Sequence, residues 1–296
     1  MTYRQQVAGF VEPYRITDGR KFRLADCDPG DTRNLKSKDT AKKLLREGVR
    51  VLSTLQEKLH AQDRWAVLLI FQAMDAAGKD GTIKHVMSGV NPQGCQVTSF
   101  KTPSMTELEH DFLWRTTCQL PERGRIGIFN RSYYEEVLAV RIHPEYLASQ
   151  RLPERAISKN IWKHRFEDIN AFEKFLFRNG VIVRKFFLNV SKDEQKRRFM
   201  ERLDENEKNW KFSPADVKER GYWDQYMTAY EDMIRRTSTA HAPWFAVPAD
   251  NKWYTRLVVA AAVVDALESL NMKFPEVDAA KKQELEAARS FLAKEK

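Results

Sequence analysis

What this sequence lacks narrows it first. No apolar run reaches the about 18 residues that a membrane-spanning helix needs. The longest, Leu257 to Leu267, is broken by Asp265 and reads as a buried helix. The opening residues, MTYRQQVAGFVEPYR, hold no apolar core of a secretory leader. The three cysteines, Cys27, Cys95 and Cys118, are scattered, with neither zinc-ligand spacing nor the even count of a disulfide framework. They read as small core residues of a protein in the reducing cytoplasm. There is no internal repeat, no low-complexity tract and no hinge that would split the chain into two independent domains.

What is present is a globular composition. With 296 residues, 42% hydrophobic and 31% charged, the chain can bury a sizeable core. The net charge of +9 favours an anionic partner: a nucleic acid, a nucleotide, a polyanion or a membrane surface. Charge alone does not choose among them. Arg33 to Arg50 is the densest basic stretch, seven Lys/Arg against two acids. With Leu44, Leu45, Val51, Leu52 and Leu55 it fits an amphipathic helix, whose basic face is either simply solvated or docks a polyanion.

Residues 1 to about 35 read as a polar, irregular N-terminal extension, and residues 36 to 62 as a helix. Trp65 to Phe71 is a continuous apolar run, as a parallel strand covered on both faces requires. Further strands are expected at Gln96–Phe100, Gly124–Phe129, Val181–Val190 and Trp244–Val247. Helices are expected at Leu108–Leu120, Ile157–Arg178, Tyr222–Arg236 and Tyr254–Leu270. The Ile157–Arg178 helix carries Phe166, Ile169, Phe172, Phe175 and Leu176 on one face. Ser191, followed by Glu194, has the spacing of a capping box. Strands alternating with helices mean a doubly wound α/β fold around a parallel sheet.

The stretch FQAMDAAGKDGTIKH, residues 71 to 85, is a near match to a phosphate-binding P-loop. Ala73 stands where the first glycine belongs, and Asp80 where the Ser or Thr belongs. A strand precedes the stretch and a helix follows, the context a P-loop requires. Gly78 lets the backbone close around a phosphate and Lys79 can reach its oxygens. Backbone N–H groups from Ala76, Ala77, Gly78, Asp80, Gly81 and Thr82 at the helix start favour an anion. The plainer alternative is an ordinary strand-to-helix turn. Asp75 argues against it, because a carboxylate in an anion-binding loop is costly unless it holds a metal or takes a proton. Asp80 is either a second such carboxylate or only a first-turn helix residue.

Transfer of a phosphoryl group also needs charge on the far side of the phosphorus. The strand ending in IFNRSYYEEV, residues 128 to 137, brings Asn130 and Arg131 to the end of the sheet where ligands bind. Arg131 can pair a phosphate bidentately, and Glu135 or Glu136 can lie near a metal. Residues 191 to about 222 are a charged segment in which Arg198 and Arg202 share a helix face. They suit a lid closing over phosphates. From Lys192 to Arg220 the balance is nine basic to eight acidic, so a solvated helical hairpin is the rival reading.

Taken together, MDAAGKDGTIKHV, NPQGCQVTSFKTPS, FLWR, FNRSYYEEVLAVRIHP, KFFLNVSKDEQKRRFMERL with NWKFSPAD, and APWFAVPADNKWYTR resemble the polyphosphate kinase 2 family. The resemblance runs in order from residue 36 to about 275. Residues 1–35 are then an N-terminal extension and 276–296 a C-terminal helical tail. Many members have Asp-Arg where this chain has Asn130-Arg131, and the Asn-Arg variant resembles the class III subgroup, which phosphorylates nucleoside mono- and diphosphates.

The resemblance implies a P-loop kinase-like three-layer α/β/α fold with a helical lid at about 191–222. It implies a magnesium-dependent transfer of phosphoryl groups from inorganic polyphosphate to AMP and ADP, forming ADP and ATP. It assigns Asp75 to holding the metal or orienting the acceptor phosphate, Lys79 to neutralising the transferred group, and Arg131 to the transition state. Asn130 belongs to the same motif. Arg198 and Arg202 match the lid arginines, and Lys101 and Arg115 lie in motifs that bind phosphate. A cytoplasmic homo-oligomer acting on polyphosphate and nucleotides, without nucleic acid or membrane, is the expectation. The rivals are an ATP-dependent nucleotide or small-molecule kinase on the same fold, and a basic nucleic-acid-binding module without turnover. The latter needs aromatic platforms, for which Trp210, Trp223 and Trp253 are the candidates.

Overall fold

The apolar runs account for the sheet. In a computed structural model that describes residues 3–295, six strands form: β1 (Arg15–Ile16), β2 (Ala66–Gln72), β3 (Cys95–Ser99), β4 (Ile126–Asn130), β5 (Val181–Asn189) and β6 (Trp244–Pro248). They lie in one sheet in the order β1-β6-β5-β2-β4-β3. β2 to β6 are parallel to their neighbours, and β1 pairs antiparallel with β6. Every residue of β2 and β6 is buried, as strands covered on both faces must be. The chain order reverses about β2, with β4 and β3 on one side and β5 and β6 on the other. The C-terminal ends of β2 and β4 border that switch point, where such sheets bind their ligands.

The helices are α1 (Tyr3–Val11), α2 (Lys38–Gln62), α3 (Lys79–Val86), four short ones, α4 (Met105–Leu108), α5 (Trp114–Thr117), α6 (Ala139–Ile142) and α7 (Pro144–Ser149), then α8 (Ile161–Arg178), α9 (Lys192–Asp204), α10 (Pro214–Arg220), α11 (Trp223–Thr237), α12 (Lys252–Glu268) and α13 (Ala279–Leu292). α12 packs with α1, α2 and α3, and α8 packs with α11, so that helices flank the sheet in a three-layer arrangement. α12 is apolar nearly all round, which is why it is buried: Leu257 to Val264 have no exposed surface. No helix of the described residues is long and apolar enough to cross a membrane.

Several expectations need correction. The N-terminal residues are not irregular throughout. Tyr3, Val7 and Val11, four apart, form one buried face of α1 against α12. Leu108–Leu120 is not one helix: the Asp111 carboxylate accepts from the Leu113 N–H at 2.9 Å and starts a separate turn that becomes α5. Phe175 is 60% exposed, because the buried face of α8 passes through Ile169, Glu173 and Leu176. Cys118 is exposed rather than a core residue.

Candidate active site

The loop after β2 folds by two left-handed residues, Ala76 at φ 61° and Gly78 at φ 106°. Glycine adopts that region freely; alanine does so at a cost, which places backbone strain inside the loop. Gly78 then caps α3, and its carbonyl accepts from the Thr82 N–H at 2.9 Å. The first N–H groups of α3 have no partner within the helix and are free to bind an anion. Ala77 and Thr82 are buried beneath it, while Asp80 faces solvent. Lys79 is 9% exposed, and its Nζ donates to the Ala73 carbonyl at 2.8 Å. Burial pulls its pKa below the ordinary lysine value, and Asp75 opposes that only in part.

The β2–β4 register sets Phe71 beside Asn130, so the loop and the Asn130-Arg131 pair leave the sheet side by side. Arg131 donates to Asp75 Oδ1 at 2.9 Å, and Asn130 Nδ2 donates to Asp80 Oδ1 at 2.6 Å. Burial pushes the Asp75 carboxyl upward, but Lys79 first, then Arg131 and Arg202, outweigh it and hold the group below the ordinary carboxylate value. Glu135 is the main influence raising Arg131, and it is held by Gln72 Nε2 at 2.8 Å. Arg131 itself has φ 64°, so both partners of the Asp75 pair adjoin left-handed backbone.

The two lid arginines separate. Arg198 is 3% exposed and lies behind the loop. Its guanidinium donates to the carbonyls of Ala76 (3.0 Å), Ala77 (2.7 Å), Ala249 (2.6 Å) and Asp250 (3.0 Å), and to Glu194 at 2.7 Å. Turning those carbonyls backward leaves the loop's N–H groups to face forward. Arg202 lies nearer the front, 3.6 Å from Asp216 on α10 and close enough to Asp75 to lower its pKa. The expected capping box at Ser191 is half formed: Ser191 accepts from the Glu194 N–H, but its own N–H donates to Asp250 while Glu194 holds Arg198. Lys101 and Arg115 sit beyond the end of β3. Arg115 donates to the Lys101 carbonyl at 2.8 Å, pairs with Glu107 at 3.2 Å, and covers the Phe100 ring.

Three participants were not singled out from sequence. Gln195 donates to the Asp75 carbonyl at 3.0 Å; its spacing of three and seven from Arg198 and Arg202 puts it on their helix face. Asp250 ties α9 to the end of β6. Asp216 faces Arg202, and burial, then Asp75, pushes its carboxyl above the ordinary value. Among the described residues no cluster of three or more His, Cys, Asp or Glu could hold a metal by itself. The oxygen donors present would suit a divalent cation that takes one or two carboxylates, Asp75 among them, and its other oxygens from substrate phosphate and water.

A family model described as polyphosphate kinase 2 matches residues 34–275. The chain belongs to the polyphosphate kinase 2 family. An ADP-polyphosphate phosphotransferase of Rhodopseudomonas palustris is 54% identical over 285 residues, 96% of this chain and 99% of that protein. An AMP/ADP-polyphosphate phosphotransferase of Meiothermus ruber is 42% identical over 271 residues, 91% of this chain and 97% of that one. The crystal structure of polyphosphate kinase 2 from Arthrobacter aurescens superposes with a TM-score of 0.85 at 41% identity, covering 94% of this chain and 96% of that one. The fold is thus that of a polyphosphate kinase 2 over nearly the whole chain.

Proposed function

We infer that this chain is a polyphosphate-dependent nucleotide kinase, a phosphotransferase that moves the terminal phosphoryl group of inorganic polyphosphate to a nucleotide. The observation that carries the reading is the Arg131–Asp75 pair at 2.9 Å, which joins the end of β4 to a phosphate-cradling loop. A loop lysine on one side and an arginine on the other is the arrangement phosphoryl transfer calls for. Both AMP and ADP are acceptors in this reading, in keeping with the class III resemblance and with the Meiothermus relative, an AMP/ADP-polyphosphate phosphotransferase. The enzyme acts in the cytoplasm as an assembly of identical chains.

The loop N–H groups and Lys79 grip the phosphate to be transferred. Asp75 orients the acceptor phosphate or anchors the divalent cation, for which magnesium fits the oxygen donors. When bound, that ion neutralises phosphate charge. Arg131 exchanges its carboxylate partner for the transferring group and stabilises charge as it spreads onto the equatorial oxygens. Arg202 approaches from the lid, and Lys101 and Arg115 extend the basic surface past β3. Catalysis is then mainly positioning and electrostatics, since the chain need form no covalent intermediate.

The test is nucleotide production from long-chain polyphosphate and magnesium with no ATP added, AMP and ADP being offered separately. ATP from ADP, and ADP then ATP from AMP, is the expected result. Product from one acceptor alone overturns the dual specificity. Product from neither, with activity when ATP is the donor, replaces the reading with an ATP-dependent kinase.

A further inference from the structure

The arginines around the loop are nearly all engaged. Arg131 holds Asp75, Arg198 holds Glu194 and four carbonyls, Arg202 faces Asp216, Arg115 pairs with Glu107, and Arg220 donates to Gln195 and the Lys192 carbonyl. Arg256, in the second turn of α12, differs. Its Nε is buried without a hydrogen-bond partner, and among the described residues no carboxylate pairs with its guanidinium. The side chain is half-buried, and burial alone accounts for a pKa below the ordinary arginine value. A guanidinium taken part-way out of water without a counter-charge is unfavourable unless an anion completes it.

Its position says which anion. A Cβ built on Gly81 would lie 3.7 Å from Arg256 Nη2, so the guanidinium rests over the bare backbone of the first turn of α3. That turn is the phosphate-cradling end of the loop. Lys252, exposed and one helical turn before Arg256, shares its face of α12. Burial and then the nearby Arg198 lower the Lys252 pKa, while Glu201 and Glu194 oppose that, so this lysine lies within the field of α9 as well. α12 packs directly on α3.

We propose that Arg256, with Lys252, forms a second anion subsite that takes polyphosphate units beyond the one held by the loop. This rests on the polyphosphate-kinase reading and deepens it: the donor chain leaves the P-loop along the start of α12. Phosphate units are singly charged and closely spaced, so each cation on the path gains one charge-assisted contact. A mononucleotide acceptor bound toward Asp75 and Arg131 does not need this contact.

The test measures steady-state kinetics with long-chain polyphosphate and ADP, together with direct binding of fluorescently labelled long-chain polyphosphate. Arg256→Ala, Arg256→Lys and Lys252→Ala are compared with the wild type. Arg256→Ala is expected to raise the KM for polyphosphate about tenfold, the loss of roughly one hydrogen bond to a charged group, while the KM for ADP holds. Arg256→Lys recovers part of that loss, and Lys252→Ala, at an exposed position that folding does not need, shows a smaller rise. Labelled polyphosphate should bind Arg256→Ala more weakly and with a shallower salt dependence. An unchanged polyphosphate KM and affinity in both alanine variants overturns the subsite while the activity stands. A rise of equal size in the KM for ADP also overturns it, since Arg256 would then be supporting the loop as a whole. If the wild type binds polyphosphate without turning it over, the kinase reading fails, and weaker binding by Arg256→Ala still supports the subsite.

Discussion

Arg131 and Asp75 are paired at 2.9 Å across the gap between two parallel strands, each next to or within left-handed backbone. The left-handed backbone sets where the two charges stand, and each neutralises the other. Arg131→Ala removes the cation without disturbing the strand that carries it, because the side chain is 42% exposed. Turnover should fall by about 100-fold or more, the scale for losing a preorganised donor to a transferring phosphoryl group. Lys79→Ala should lose a similar factor. Both proteins should still fold, with a modestly lowered thermal midpoint, because each loses a cation that stabilises the Asp75 carboxylate. Near-normal turnover in either variant would remove that residue from the mechanism.

Asp75→Asn separates the two roles of the carboxylate. If Asp75 helps hold the cation, activity falls and the magnesium concentration for half-maximal rate rises; a magnesium curve that does not move argues for orientation of the acceptor alone. The same variant has a pH signature. The Asp75 carboxyl is held below its ordinary value of 3.8 in the folded protein, by Lys79 first and Arg131 next, against the opposing effect of burial. Its charged form therefore contributes stability above about pH 4, and that contribution is lost as the pH falls through the lower folded value. Denaturation midpoints should separate wild type from Asp75→Asn at pH 6 and converge toward pH 3. Parallel curves would mean the pair adds nothing to stability.

The Asn130–Asp80 hydrogen bond, 2.6 Å long, tests acceptor choice. Asn130→Asp sets a second carboxylate against Asp80 and adds a negative charge beside the acceptor. ADP is more highly charged than AMP, so kcat/KM should drop more for ADP. One extra charge at about 4 Å in a water-like surrounding is about 1 kcal/mol, or roughly fivefold. Adding Asp80→Asn to Asn130→Asp returns the hydrogen bond with its donor reversed and should recover the overall rate. An AMP/ADP ratio that stays the same in the single variant would show that Asn130 does not set the preference.

Much of this was readable from residues alone, for physical reasons that also explain the gaps. β2 and β6 are short apolar runs whose length and burial leave no other solution, and the loop between β2 and α3 carries its own turn chemistry in Gly78. Neighbouring placement of Asn130 and Arg131 followed from the rule that ligands bind past C-terminal strand ends. Arg198 illustrates what spacing cannot convey. A helix face can be computed from residue number, but which way that face turns depends on α9 docking behind the loop, through contacts 51 and 122 residues distant in sequence. β1, two residues long, has no pattern of its own and exists because β6 offers it an edge.

The same long-range logic governs the last prediction. Lys185 on β5 and Glu173 on α8 form an ion pair of 2.6 Å with no exposed surface on either side chain. Lys185 Nζ also donates to Tyr134 Oη at 3.0 Å and to the Thr237 carbonyl at 2.7 Å, while Tyr133 and Tyr134 donate to Glu173 at 2.9 and 2.7 Å. These tyrosines follow Arg131 by two and three residues, so the buried pair anchors the segment that aims the arginine. Lys185→Met leaves Glu173 charged and without its cation in the core, at a cost of about 3 to 5 kcal/mol. The urea midpoint should fall accordingly. Adding Glu173→Gln removes the stranded charge, and the double variant should be more stable than Lys185→Met alone. If the double variant also regains turnover in step with stability, the network only holds the fold. If stability returns and kcat stays low with the ADP KM unchanged, the network positions Arg131. A midpoint that does not move in Lys185→Met would mean that neither holds.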